Sequence, residues 1–178
     1  DGYHGPARHH YGKRAVERLA CPVLLNGDVS SAARAIELLG QTGAFGVMIG
    51  RGAIRNPWIF SQLRQLQSGQ PVHRPTLGDV HGYVEQLYQA FDKPDIPEAK
   101  NIARMKKFLN FIGLAVDEEG VFLHQVRRAR TRTDLFAVCS RHLLAEGRGE
   151  SIFPDEPWPD LVARPNREGS SRSAPVCS

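Results

Sequence analysis

Cysteine is scarce in this sequence. Cys21, Cys139 and Cys177 are scattered along 178 residues. An odd, widely spaced set offers neither a disulfide framework nor a zinc-binding spacing, and it points to a reducing, cytoplasmic compartment. Cys21 precedes an apolar run and Cys139 lies among apolar positions, so both read as buried structural thiols. Neither has the Lys/His setting of a nucleophile. Long apolar runs are lacking as well. None approaches the roughly 18 residues of a membrane span, and no membrane partner is expected. No basic-then-apolar leader is visible in a chain that opens at Asp1-Gly2-Tyr3 without a Met, which suggests a missing native start. There are no internal repeats. Charge of neither sign dominates: 23 Lys+Arg against 19 Asp+Glu leave +4, which permits a nucleic-acid partner without requiring one.

What is present begins with a glycine-rich opening, Asp1–Gly12, that reads as a loop. Its histidines, His4, His9 and His10, have no carboxylate or cysteine at ligand spacing, so no metal is expected. Lys13–Ala20 reads as a short helix. Two apolar runs follow, each ending in a glycine turn: Val23–Leu25 before Asn26-Gly27-Asp28, and Phe45–Ile49 before Gly50-Arg51-Gly52. Ser30–Gly40 between them has apolar residues at helical spacing. Strand, helix, strand is a βαβ unit. Neither apolar run alternates, which predicts parallel strands buried on both faces. Asn-Gly is a hairpin signal when strands flank it; here Ser30-Ser31 opens a capped helix, which favours a βα turn. A phosphate group wants converging backbone N–H donors and a cation. Gly27 and Gly50 at neighbouring strand ends, with Arg51, would supply them. The same glycines serve equally well as plain tight turns.

Asn56-Pro57-Trp58 opens a helix reaching about Leu66, with Asn56 as cap and Pro57 at the first helical position. Residues 68–75 carry Gly69, Pro71 and Pro75 and read as a linker. Beyond it the periodicity is helical only: Thr76–Phe91 with Thr76 and Asp79 as a capping pair, Glu98–Leu114, Val121–Ala129 and Thr133–Leu144. These predict a small helical bundle over 76–148. Residues 97–148 hold ten Lys/Arg against six Asp/Glu, the whole net excess of the chain. At 100° per residue, Lys100, Arg104 and Lys107 fall opposite Ile102, Met105, Leu109 and Ile112. Arg127, Arg128, Arg130 and Arg132 form a second basic cluster. Such surfaces attract RNA phosphates, although a charge stripe also suits a merely solvated face. Five prolines after Gly149 predict a largely disordered tail over 149–178, with Ile152, Phe153, Trp158, Leu161 and Val162 able to pack a short stretch of it on the body.

Asn26-Gly27-Asp28, then Gly46-Val47-Met48-Ile49-Gly50-Arg51-Gly52-Ala53, then Asn56-Pro57-Trp58-Ile59-Phe60 resembles the late barrel strands of the tRNA-dihydrouridine synthases. Tyr3-x-Gly5-x-Ala7 and Met105-Lys106-Lys107-Phe108-Leu109-x-Phe111 extend the resemblance to roughly residues 1–146. It implies the C-terminal part of an FMN-binding TIM (β/α)8 barrel over residues 1–67, followed by a helical tRNA-binding domain. It implies FMN as cofactor, NADPH as reductant and tRNA as substrate, with reduction of a uridine C5–C6 bond. Asn26, Gly27, Asp28, Gly50 and Arg51 match the flavin-holding positions. Lys100, Arg104, Lys107, Arg127 and Arg128 are the expected RNA contacts. A barrel typically takes ~250 residues, so six strands and the catalytic cysteine would lie upstream of this chain, and the chain alone is expected to be inactive. Arg8-His9-His10 stands where the resemblance calls for an aromatic, and Phe108 where a His is common. Two other readings are another FMN barrel oxidoreductase and a non-catalytic tRNA-binding remnant.

Overall fold

A computed structural model of the protein describes residues 6–164. The first layer contains α1 (His9–Arg18), β1 (Leu24–Asn26), α2 (Ala32–Thr42), β2 (Gly46–Met48), α3 (Arg51–Arg55) and α4 (Ile59–Gln67). The strands are parallel, with Leu24 beside Gly46, Leu25 beside Val47 and Asn26 beside Met48. The right-handed economy of a βαβ unit requires the crossover helix to cover one sheet face, and α2 does so. Ser31 Oγ accepts from the Arg34 amide at 3.1 Å and starts this helix. Gly43, in the left-handed region at φ 68°, ends it. Ala35 and Leu38 pack from α2 against Leu25 and Val29.

Among the described residues only that face is covered. Leu24 is 61% exposed, Met48 56% and Phe45 78%. The expectation of strands buried on both faces is therefore corrected. Side chains alternate across a strand; Leu25 turns toward α2, while Leu24, Asn26 and Met48 turn to a face that no described layer covers. The first helix starts at His9 rather than Lys13, so His9 and His10 are helical residues; His4 lies outside the described residues. Among the described residues no group of three or more His, Cys, Asp or Glu is placed to hold a metal ion. Cys21 is exposed, not buried, because the segment between α1 and β1 runs along the surface. Cys139 is buried as expected, and burial pushes its thiol up to about 12.

The second layer contains α5 (Leu77–Phe91), α6 (Glu98–Ile112), a 3-10 turn (Gly113–Ala115), α7 (Val121–Arg128) and α8 (Arg132–Leu143). Thr76 and Asp79 form a reciprocal capping box at α5. Thr131 and Asp134 form another at α8, whose first residue, Arg132, comes one before the start that the periodicity gives. Ile102, Met105, Leu109 and Ile112 of α6 are all within 2% of full burial, surrounded by Val80, Val84, Phe122, Val126, Leu135 and Leu143. Among the described residues no helix is long and apolar enough to cross a membrane.

The 68–75 segment is tied down rather than loose. Gln65 Oε1 accepts from the His73 amide at 2.9 Å. Gln62, 1% exposed, donates to the His73 carbonyl at 2.9 Å and accepts from Asn56 Nδ2 at 2.8 Å. Asn56 Oδ1 accepts from the Trp58 amide at 3.1 Å in a turn ahead of the helix. The regular helix starts at Ile59, with Trp58 at the cap position and no side-chain cap bond, so the expected Asn56 cap with Pro57 as first helical residue is corrected. Helix α3 packs directly on α6 and joins the two layers.

Residues 149–164 depart most from expectation. They are packed on the body. Phe153 is 1% exposed within the core of the second layer. Its amide donates to the Pro75 carbonyl at 2.8 Å, and the Leu77 amide donates to the Ser151 carbonyl at 2.8 Å. Proline and polarity suggested disorder here, but one aromatic anchor and paired backbone groups outweigh the ordering cost. The remainder of that tail, 165–178, lies outside the described residues.

Candidate cofactor-phosphate site

The register of β1 and β2 sets two turns side by side. Asn26 is level with Met48, so Gly27-Asp28 and Gly50-Arg51 leave neighbouring strand ends. Gly27 has φ 107°, and a Cβ there would come within 2.7 Å of Ala7 Cβ. Asp28 also has a positive φ, 49°, a conformation that short polar side chains tolerate best among non-glycine residues. Its carboxylate is put to use: Oδ2 accepts from the Ala7 amide, and Oδ1 stands 3.6 Å from Arg51 Nη2. At Gly52 an added Cβ would lie 2.2 Å from the Val29 carbonyl oxygen; a glycine here lets the two turns approach. Gly50 is the opposite case. Nothing described lies within 4 Å of where its Cβ would be, because the space over it is cavity.

That cavity has a volume of about 960 Å³. One side is polar: Asn26, Gly27, Asp28, Gly50 and Arg51. The other is apolar: Phe111 and Leu114 from the second layer, with Pro157, Leu161 and Ala163 from the C-terminal segment. The structure thus brings together all five residues that the sequence singles out for a phosphate-bearing ligand. It adds what sequence reading missed. Asp28 is the ion-pair partner of Arg51, and Arg51 begins a five-residue helix rather than ending a plain turn. The Asp28–Arg51 pair is half exposed, and pairs of that kind are worth ~0–1 kcal/mol.

The basic residues divide differently from expectation. Lys100 and Lys107 are exposed on α6. Arg104 is half-buried, its guanidinium 4.8 Å from the centre of the Phe91 ring. Arg128 is exposed and donates to His124. Arg127 is half-buried: Nε donates to Asn110 Oδ1 at 2.9 Å and Nη2 to the Val162 carbonyl at 2.7 Å. Burial pushes its pKa below the ordinary arginine value. It fastens α7 to α6 and to the C-terminal segment. Helical-wheel reasoning cannot see such partners, because Val162 lies 35 residues away in sequence.

The family model described as Dihydrouridine synthase (Dus) matches residues 2–114, more than half of the chain. The chain belongs to the dihydrouridine synthase family. The match begins ahead of α1 and ends in the 3-10 turn after α6, so both sides of the cavity up to Leu114 fall inside it. A tRNA-dihydrouridine synthase B of Xanthomonas axonopodis pv. citri (strain 306) is 33% identical over 134 residues, covering 72% of this chain and 39% of the relative. A tRNA-dihydrouridine(16) synthase of Neisseria meningitidis serogroup B (strain ATCC BAA-335 / MC58) is 29% identical over 146 residues, covering 82% of this chain and 42% of the relative. A probable tRNA-dihydrouridine synthase of Rickettsia conorii (strain ATCC VR-613 / Malish 7) is 35% identical over 89 residues, covering 49% and 27%. The chain spans less than half the length of these curated relatives. A helix-rich body with one small parallel sheet fits part of a barrel followed by helices.

Proposed function

We propose that this chain is the C-terminal portion of a flavin-dependent tRNA-dihydrouridine synthase, carrying the FMN phosphate end of the site and the tRNA-gripping helical layer. The observation that carries the reading is the cavity where the glycine turns of adjacent parallel strands converge on Arg51. Carboxyl ends of late barrel strands are where TIM barrels hold phosphate. The residues present fit an FMN phosphate: an open space over Gly50, a guanidinium beside Asp28, and the Asn26 amide at the strand end. When bound, FMN supplies the hydride chemistry, with NADPH as the reductant. Asn26, Gly27, Asp28, Gly50 and Arg51 bind and orient its phosphate and ribityl end. The exposed strand face bearing Leu24 and Met48 is the inner wall of a barrel whose other strands come from upstream sequence.

Lys100 and Lys107, with Arg104 steadied on Phe91 and Arg128 at the end of α7, form the surface that meets the tRNA backbone. The uridine itself is reached by flipping out of its stack. Residues 1–178 alone do not turn over tRNA in this reading, since the proton donor is contributed by the missing part. Cytoplasmic location follows from a tRNA substrate and reduced thiols.

The test is flavin titration of the completed protein and of its Arg51→Ala variant. Loss of one hydrogen bond to a charged group costs about 1.5–3 kcal/mol, so FMN affinity is expected to fall roughly ten- to a hundredfold. Equal affinities would refute the phosphate assignment.

A further inference from the structure

Arg55, at the last position of α3, is a charged residue only 3% exposed. A buried guanidinium is tolerated where hydrogen bonds offset its lost hydration. Its partners are three backbone carbonyls from two distant stretches. Nη1 donates to the Pro154 carbonyl at 2.9 Å. Nη2 donates to the Ser30 carbonyl at 2.9 Å and also to the Asp155 carbonyl. The cation stands 5.7 Å from the centre of the Phe153 ring. Burial pulls its pKa down, and the charges of Glu156 and Asp155 oppose that pull. Ser30 belongs to the loop that continues from the Asn26-Gly27-Asp28 turn, and Pro154 and Asp155 begin the C-terminal segment. One side chain therefore joins the polar turn of the cavity to the stretch that supplies its opposite wall.

Beyond Asp155 the segment crosses the second layer. The Trp158 amide donates to the Leu114 carbonyl at 2.8 Å. Arg127 holds the Val162 carbonyl, and Ala163 is 3% exposed. Pro157, Leu161 and Ala163 face the cavity. The indole N–H of Trp158 is buried with no acceptor among the described residues, so that side chain adds no polar tie. Bonds from Arg55 and Arg127 and one backbone pair seat the segment from 154 onward, and the Arg164 guanidinium stands 5.5 Å from the centre of the Phe111 ring.

We propose that residues 153–164 form a strap that makes the apolar wall of the ligand cleft, and that Arg55 is the positioning residue that clamps it there. This rests on the reading that the cleft takes FMN. The strap turns an open strand end into a two-walled cleft, polar on the turn side and apolar on the helix side. A ligand with an anionic end and an apolar body, filling the space between Gly50 and Leu161, touches both. Because α3 carries Arg51 at one end and Arg55 at the other, displacement of the strap also loosens the phosphate side.

Hydrogen exchange on the full chain, with and without FMN, tests this. Arg55→Met keeps apolar bulk and removes the three donors. Without ligand, amides of 155–163 are expected to exchange on the order of tenfold faster in the variant, with α6 amides unchanged. Unchanged exchange across 155–163 overturns the clamp. With FMN, the parent is expected to gain protection in two stretches, the turns at 26–28 and 50–52 and the strap at 157–163. Protection of the turns without the strap overturns the wall. Protection of neither overturns the flavin reading and the wall together, while the clamp stands or falls on the unliganded comparison. Should Arg55→Met fail to fold, a chain ended after Glu156 keeps Phe153 and the acceptors of Arg55 and removes the wall. Its FMN affinity is expected to drop several-fold, and an affinity equal to the parent's overturns the proposal.

Discussion

The two layers of this molecule are built to different standards of self-sufficiency. The helical layer gathers seventeen buried residues into one core among the described residues, from Leu77 to Phe153. The sheet layer gathers four, Leu25, Val29, Ala35 and Leu38, and leaves Leu24, Phe45 and Met48 more than half exposed. Apolar side chains bury because each square ångström removed from water stabilises by about 25 cal/mol. Four helices around one core bury apolar surface on every side. Two parallel strands under one helix bury one face only, and their outer edges keep unpaired backbone groups. The difference teaches where the functional residues sit. The phosphate turns are on the less supported layer, and they are held by contacts to the better supported one: α3 against α6, and Arg55 against the strap.

The largest expected effect breaks the comparison at its strong side. Leu109 is fully buried in the helical core; Leu109→Ala should cost about 2–5 kcal/mol, the range for core leucines. Leu38, equally buried but in the small cluster, should cost less on truncation, near the bottom of that range, because its open neighbours can collapse. Urea unfolding of both variants checks this, and equal costs would mean that the sheet layer is supported as well as the helical one.

A smaller effect sharpens the division of labour. Lys100 and Lys107 are exposed on the helical layer, and neither lines the cleft. Replacing both by Ala should lower tRNA affinity and reduce the magnitude of the log–log salt slope by about 1.5, two phosphate contacts' worth. FMN affinity should not change. Arg127→Met should leave that slope at the parent value, since its guanidinium is committed to Asn110 and Val162. Filter binding across a salt series measures all three, and equal slopes for the parent and the double-lysine variant would remove α6 from the RNA surface.

The smallest effect lies within the helical layer. Burial pushes the His142 pKa below the ordinary histidine value, the nearby Asp117 opposes this, and Arg148 and Arg141 add to it. Its Nε2 is 3.2 Å from Gln125 Oε1, and its ring packs edge-on against Phe122. A depressed folded-state pKa means that the unfolded chain takes up the proton first. The stabilisation is then complete above the ordinary value of 6.5 and is lost as pH falls from there through the lowered folded-state value. His142→Gln should flatten stability across that window. Denaturation midpoints of parent and variant on both sides of it test this, and parallel pH profiles would show that His142 titrates alike in both states.

Much of the helical layer was legible because its signals are local. Thr76 and Asp79 are three residues apart and close a capping box by themselves. Ile102, Met105, Leu109 and Ile112 share one face through the helical repeat alone. The Thr131–Asp134 box was equally local, and a search for Thr-x-x-Asp would have found it. The candidate site was legible in its membership, since glycine turns after apolar runs are a pattern of adjacent residues. Its internal wiring was not. The Asp28–Arg51 pair spans 23 positions, and nothing in Asn-Gly-Asp announces that the aspartate will take a left-handed backbone and turn to that arginine. The tail was legible in part: Phe153, Trp158 and Leu161 marked a stretch able to pack, but proline content reports what a segment cannot form by itself, not how far it can dock.

The sequence by itself determined the order of strand and helix, the caps, the faces of the long helices and the two turns that would meet a phosphate. Each is set by hydrogen bonding and side-chain spacing within a few residues of the chain. Only the tertiary structure decided which cations remain on the surface, which face of the sheet stays open, and that the C-terminal segment becomes a wall of the cleft. Those outcomes hang on contacts such as Arg55 with the Asp155 carbonyl, 100 residues apart. A guanidinium satisfies its donors wherever the fold brings carbonyls within reach, and that meeting exists only once both layers have packed.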